Sequence, residues 1–163
     1  MEILLTHGYF LSEDVKEQQI MKPYVPLGIL YISAYLEENG IENKVYDSTF
    51  STLQKLKERL LSSPPSIIAI YTNLMTKLNV LKIVHFVKAE LKDTKVVLGG
   101  PEIKHYCKEY LQCGADMVVI GEGEQTMLEI CSYYKIHHKL PLDISGTAFL
   151  NEDNLKLNEE RTL

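Results

Sequence analysis

Short apolar runs alternate with longer stretches of helical periodicity along the chain. The pattern predicts strands over Glu2–Thr6, Asn43–Asp47, Ser66–Tyr71, Lys95–Leu98 and Asp116–Ile120. The last three are apolar at successive positions, as strands covered on both faces are. Between them the period lengthens. Pro26 opens a helix where its missing N–H costs nothing. Leu27, Ile29, Leu30, Ile32, Ala34, Tyr35 and Leu36 make that helix apolar nearly all round, so deep packing is expected, with Gly40 past its end. Ser51 and Gln54 form a capping-box signature before the stripe Leu53, Leu56 and Leu60. Val80, Val84, Val87 and Leu91 recur at helical spacing. Ile103, Tyr106, Cys107, Tyr110 and Leu111 are expected to face inward on the next helix, which Gly114 closes. Met127, Ile130, Cys131 and Tyr134 share one face of the last.

The β-then-α order repeats five times, which means a parallel sheet with helices on both faces. Two stretches stand outside the repeat. Tyr9 to Tyr24 reads as a long polar loop with room for one helical turn, and loops of that length are usually functional. Residues 145–150 and 155–158 flank Asn-Glu-Asp-Asn, a hairpin signal. The expected organisation is an α/β domain over 1–140 and a hairpin appendage over 141–163 that leads into something else.

The bulk numbers narrow the partners. At 163 residues the chain can bury a core without staples. A net charge of −5 argues against a nucleic-acid surface. No apolar run reaches the ~18 residues of a membrane span. The start, Met-Glu-Ile-Leu-Leu-Thr-His, reads as a strand rather than a signal peptide, which makes the cytoplasm the expected location. The three cysteines, Cys107, Cys113 and Cys131, include no Cys-x-x-Cys pair. They offer neither a disulfide framework nor a ligand set for zinc or an iron–sulfur cluster.

Two of the expected strands run straight into glycines, Gly99-Gly100-Pro101 and Gly121-Glu122-Gly123-Glu124. Ligands of open α/β sheets bind beyond the carboxyl ends of the strands, so both turns belong to one rim. Several chemistries of this five-stranded, flavodoxin-like (Rossmann-like) plan fail on their residues. A phosphoacceptor receiver needs an Asp ending the third strand and a Lys ending the fifth, where Tyr71 and Gly121 stand. A flavin phosphate loop needs Ser, Thr and Gly after the first strand, where His7-Gly8-Tyr9-Phe10 stands. Gly121 to Thr126 half-matches G-x-G-x-x-G, but Thr126 replaces the third glycine and two acids occupy the pyrophosphate position.

A resemblance carries the reading further. Pro26-Leu27-Gly28, Tyr31, Ala34-Tyr35-Leu36 and Gly40 are placed along the first helix. Asp47, Leu98-Gly99-Gly100-Pro101 and Gly114-Ala115-Asp116 follow, and then Val119-Ile120-Gly121-Glu122-Gly123-Glu124-Gln125-Thr126. In that order and spacing the chain resembles the N-terminal cobalamin (B12)-binding domain of B12-dependent radical S-adenosylmethionine enzymes. The resemblance covers about residues 1–140, with the hairpin and Arg161 similar to the connector before the radical core.

The resemblance implies a corrin held over the carboxyl rim and a nucleotide tail buried in the crevice. Gly99, Gly100 and Pro101 would then admit the tail against bare backbone. Thr72 and Asn73 would hydrogen-bond it, and Gly121, Glu122 and Gly123 would pack at its mouth. Tyr71 would stack on it or fill core. Glu124 and Thr126 would touch it or cap their helix. Thr6, His7 and Gly8 end the first strand at the same rim. No Asp-x-His-x-x-Gly is present, so the cobalt would lack that protein imidazole, and no metal ligand or catalytic residue is expected in the fragment itself. The iron–sulfur cluster and S-adenosylmethionine would belong to a radical core in cis, with methyl transfer the implied outcome. The competing reading keeps the fold without the vitamin, as an interaction or docking module.

Overall fold

The computed structural model describes residues 1–161. It contains strands β1 (Ile3–His7), β2 (Lys44–Tyr46), β3 (Ile67–Tyr71), β4 (Lys95–Gly99), β5 (Met117–Val119), β6 (Thr147–Asn151) and β7 (Asn154–Leu157). The helices are α1 (Val15–Ile20), α2 (Leu27–Glu38), α3 (Leu53–Ser62), α4 (Lys77–Glu90), α5 (Cys107–Gln112) and α6 (Glu124–His137). The sheet order is β2-β1-β3-β4-β5-β6-β7. The first five strands are parallel. Their order, 2-1-3-4-5, is the flavodoxin-like arrangement, with its switch point between β1 and β3.

The sheet has seven strands rather than the expected five. The C-terminal hairpin is not separate from it: β6 pairs antiparallel with β5 through Val118–Ala148 and Val119–Thr147. Ala148 and Thr147 are fully buried. Residues 162 and 163 of the expected linker lie outside the described residues.

Strand parity divides the core. Ile3, Leu5, Ile67, Ala69, Val97, Met117 and Val119 face α2 and α6. Leu4, Ile68, Ile70, Val96, Leu98 and Val118 face α3, α4 and α5. Two helices therefore cover one face and three the other. Asp116 fixes the entry to β5 by accepting the Val96 N–H at 2.8 Å and pairing with Lys88 on α4 at 2.9 Å.

Several local expectations shift. Thr52, not Ser51, caps α3, accepting the Lys55 N–H. Pro26 is the N-cap of α2 rather than its first residue. That helix is not packed all round: Ile29, Ser33 and Leu36 are buried, whereas Leu27 and Tyr31 are 59% and 64% exposed. Tyr106 is exposed rather than inward. The 9–24 segment is anchored by buried Phe10 and Leu11 and carries α1, whose N-cap Asp14 accepts the Glu17 N–H at 3.1 Å.

At the end of β4 the chain turns sharply. Gly100 has φ +120°, and a Cβ built there would overlap the carbonyl oxygen of Thr72. The β3 and β4 turns thus pack backbone on backbone, with the Thr72 N–H donating to the Gly99 carbonyl at 2.8 Å. Gly100→Ala is expected to destabilise the fold by ~3 kcal/mol or more, since both the dihedral and the contact oppose a methyl group. Urea unfolding measures it, and a loss below ~1 kcal/mol would contradict this packing.

Candidate functional site

Between α2 and α6, at the carboxyl ends of the strands, part of the sheet face lies open. The resulting crevice has a volume of about 410 Å³, within the usual range for a ligand site. Leu5, Ala69, Val97, Gly99 and Val119 form its sheet side. Gly28, Ile29 and Ile32 of α2 and Met127 of α6 form its walls. Gly100, Pro101, Gly121, Glu122, Gly123 and Glu124 line its mouth, together with Lys104. A Cβ at Gly99 would meet nothing closer than Val119, at 3.9 Å. A methyl group at Gly99 would make ordinary contact with Val119 and clash with nothing, so the position is not bare for lack of room, and it borders the crevice. The two helices are tied beside the crevice by the Tyr35 hydroxyl, which donates to Gln125 Oε1 at 2.7 Å.

A second cavity, of about 470 Å³, lies over the ends of β1 and β3. Tyr71, Gly28 and Ile29 line both cavities. The Tyr71 ring lies 3.7 Å from where a Gly28 Cβ would stand, so Tyr71 forms the partition. His7, Asn73, Tyr24, Val25, Leu27 and Met75 also border this second space. Tyr24 and Met75 are 91% and 81% exposed, which gives the rim an apolar upper surface.

His7 is buried with both ring nitrogens engaged. Nδ1 accepts the Tyr9 N–H at 3.1 Å, so the proton lies on Nε2, which donates to Asp47 Oδ1 at 2.9 Å. Asp47 also accepts the Thr49 N–H at 3.0 Å. Burial raises the Asp47 carboxyl, but the hydrogen bonds from Thr49 and His7 outweigh it, and the group titrates below its ordinary value. The three residues lock the β1 end to the β2 turn.

Four of the residues expected at the rim lie elsewhere. Thr6 has the opposite parity from His7, is fully buried, and donates to the Tyr46 carbonyl at 2.7 Å. Gly8 packs under α4, where a Cβ would crowd Val80 and the Thr76 carbonyl. Thr72 is fully buried toward Tyr110, on the face away from the crevice. Neither hydroxyl has a hydrogen-bond partner of good geometry among the described residues. Thr126 is fully buried and accepts Arg161 Nε–H at 3.0 Å, so it is neither a crevice contact nor a cap. Asn73 borders the second cavity, but its Oδ1 is occupied by the Thr76 N–H. Ala69, Ile32, Val97, Val119 and Met127 also line the crevice and were not among the expected site residues. Strand parity could have found those on the sheet, because they share a face with Gly99. Burial pushes the Cys131 thiol up to about 12 and marks it as core.

The model of the B12 binding domain matches residues 20–131, which is more than half of the chain and includes both glycine turns. The chain belongs to the B12-binding domain family. No curated protein sequence matches it. Among solved structures it resembles OxsB, a cobalamin-dependent S-adenosylmethionine radical enzyme with aqua-cobalamin bound. The TM-score is 0.81 at 18% identity, over 99% of this chain and 22% of that one. It also resembles TsrM, a radical S-adenosylmethionine methyltransferase from Kitasatospora setae, with a TM-score of 0.78 at 17% identity, over 97% of this chain and 30% of that one. A cobalamin-binding protein from Desulfitobacterium hafniense matches with a TM-score of 0.59 at 17% identity, over 82% of this chain and 58% of that one. At these identities the likeness is one of fold. The B12-binding domain described here spans between a fifth and a third of the length of OxsB and TsrM. Among the described residues, no group of three or more His, Cys, Asp and Glu side chains is placed to hold a metal ion. Among the described residues, no helix is long and apolar enough to cross a membrane.

The lowered Asp47 carboxyl has a sign. A carboxylate favoured in the folded state contributes stability above its unfolded pKa, and that contribution is lost as pH falls through the folded value. Asp47→Asn is therefore expected to flatten the loss of melting temperature below pH ~4. Thermal melts across pH 2–7 check it, and an acid limb as steep as that of the wild type would contradict the His7–Asp47–Thr49 lock.

Proposed function

We propose that this chain holds cobalamin, with the nucleotide tail in the crevice over Gly99 and the corrin above the rim. The observation that carries the reading is the open floor at Gly99 in a chain of the B12-binding family. Small residues, Ala69, Gly99, Gly28 and Gly123, border a space that the protein's own side chains leave empty. An aromatic tail would bury apolar area against Val97, Val119, Ile32 and Met127, worth ~25 cal/mol per Å² removed from water. The exposed apolar side chains of Tyr24, Val25, Leu27 and Met75 form a surface suited to a flat macrocycle.

Cobalamin would supply a cobalt able to carry a methyl group, and this chain's residues bind and orient it. His7 offers no free nitrogen as a lower ligand, because Tyr9 and Asp47 occupy both. In this reading residues 1–140 form the cofactor domain. Residues 141–163 carry the chain toward a radical S-adenosylmethionine core in cis, which would hold the iron–sulfur cluster and perform the reaction, with methyl transfer the expected class. A docking module without the vitamin has no use for an open crevice of this size, and no observation favours it. The cytoplasm is the proposed location.

Purified protein mixed with hydroxocobalamin and desalted is expected to retain the visible corrin band. Gly99→Leu is expected to lose the band while unfolding within ~1 kcal/mol of wild type, because its side chain enters open space. A colourless wild-type eluate, or a Gly99→Leu protein that keeps the band, would overturn the proposal.

A further inference from the structure

The charges around the crevice are unevenly placed. Three charged side chains line it: Lys104, Glu122 and Glu124. The tail of cobalamin carries a phosphodiester, and an anion entering this mouth meets two carboxylates and one ammonium. The other nearby cations are committed. Lys77 pairs with buried Glu102 at 3.0 Å and lies over the Tyr106 ring. Arg161 donates to Thr126, Glu129 and the Ser145 carbonyl.

Lys104 has a different partner. It meets Glu160 at 3.2 Å, in a pair whose side chains are 63% and 78% exposed. Such a pair contributes little and exchanges easily. Its position is nevertheless fixed by its neighbours in the chain. The Asn158 N–H donates to the Thr147 carbonyl at 3.0 Å, and the Gly146 N–H donates to the Glu159 carbonyl at 2.7 Å. Arg161 is held against α6. The segment leaving β7 is thus pinned on both sides of Glu160, and it presents that carboxylate to the one lysine of the crevice mouth.

We propose that Lys104 is the cationic contact for the phosphodiester of the nucleotide tail, and that Glu160 competes with the cofactor for it. The inference rests on the cobalamin reading above and deepens it. Binding of the anion would break the Lys104–Glu160 pair and leave the carboxylate on the outgoing segment free. By linkage, any event on that segment that draws Glu160 away would tighten cofactor binding by the same factor. The lysine offers a point charge to a phosphate whose other approach is lined by acids.

The experiment is a spectroscopic titration of the full chain with hydroxocobalamin. It compares wild type, Lys104→Met, Lys104→Arg, Glu160→Gln and the Lys104→Met/Glu160→Gln double variant, with melting curves confirming the fold of each. Lys104→Met is expected to weaken binding about tenfold, and Lys104→Arg to stay within about threefold of wild type. Glu160→Gln is expected to tighten binding about twofold to fivefold in the wild type and to have no effect when Lys104 is already Met. Wild-type binding that Lys104→Met leaves unchanged, or a Glu160→Gln effect of the same size in both backgrounds, would overturn the inference while the cobalamin reading stands. Absence of wild-type binding would remove both.

Discussion

At Gly99 the sheet face that carries Leu5, Ala69 and Val97 loses its side chain, and the nearest atom to the missing Cβ is Val119, 3.9 Å away. A leucine or isoleucine there would join the core formed by α2 and α6 and close the space between them. Leu36, Ile130 and Cys131, which do not line the crevice, pack in the same core on this face of the sheet. The sheet stays uncovered at its carboxyl end. The next residue has the opposite character. Gly100 is bare because the Thr72 carbonyl leaves no room. Adjacent glycines therefore do separate jobs: the second lets the turn form and the first keeps the crevice open.

The parts around this floor are stiffened by polar groups that face the protein. His7, Asp47 and Thr49 lock the β1 end to the β2 turn. Asp116 joins β4, β5 and α4. Arg161 fastens the outgoing chain to Thr126 and Glu129. Charge-assisted hydrogen bonds of this kind are stronger and more directional than neutral ones. They hold together the strand ends and turns that border the crevice.

The order of elements and the carboxyl-end rim were legible in the sequence because the apolar strands and the glycines after β4 and β5 are local signals. The faces were harder to read. Thr6 and Thr72 stand beside crevice residues in sequence, but strand parity turns them to the other side. Thr126 falls in the glycine-rich motif, and its use became visible only once Arg161 was folded against it. The apolar front of α2 reads as core, yet Leu27 and Tyr31 are exposed, since a helix covering one strand end buries only one stripe. The hairpin's junction with β5 depends on long-range pairing, which no local pattern in residues 145–158 specifies.

In the proposed complex the crevice floor at Gly99 receives the aromatic end of the cofactor. Methyl-detected NMR with and without hydroxocobalamin tests it most directly, because an aromatic ring shifts the methyl groups it covers. The account predicts large shifts confined to Ala69, Val97, Val119, Ile32 and Met127, with Leu56, Val84 and Val87 on the opposite face unmoved. Shifts centred on that opposite face, or absent from the crevice methyls at saturation, would contradict it.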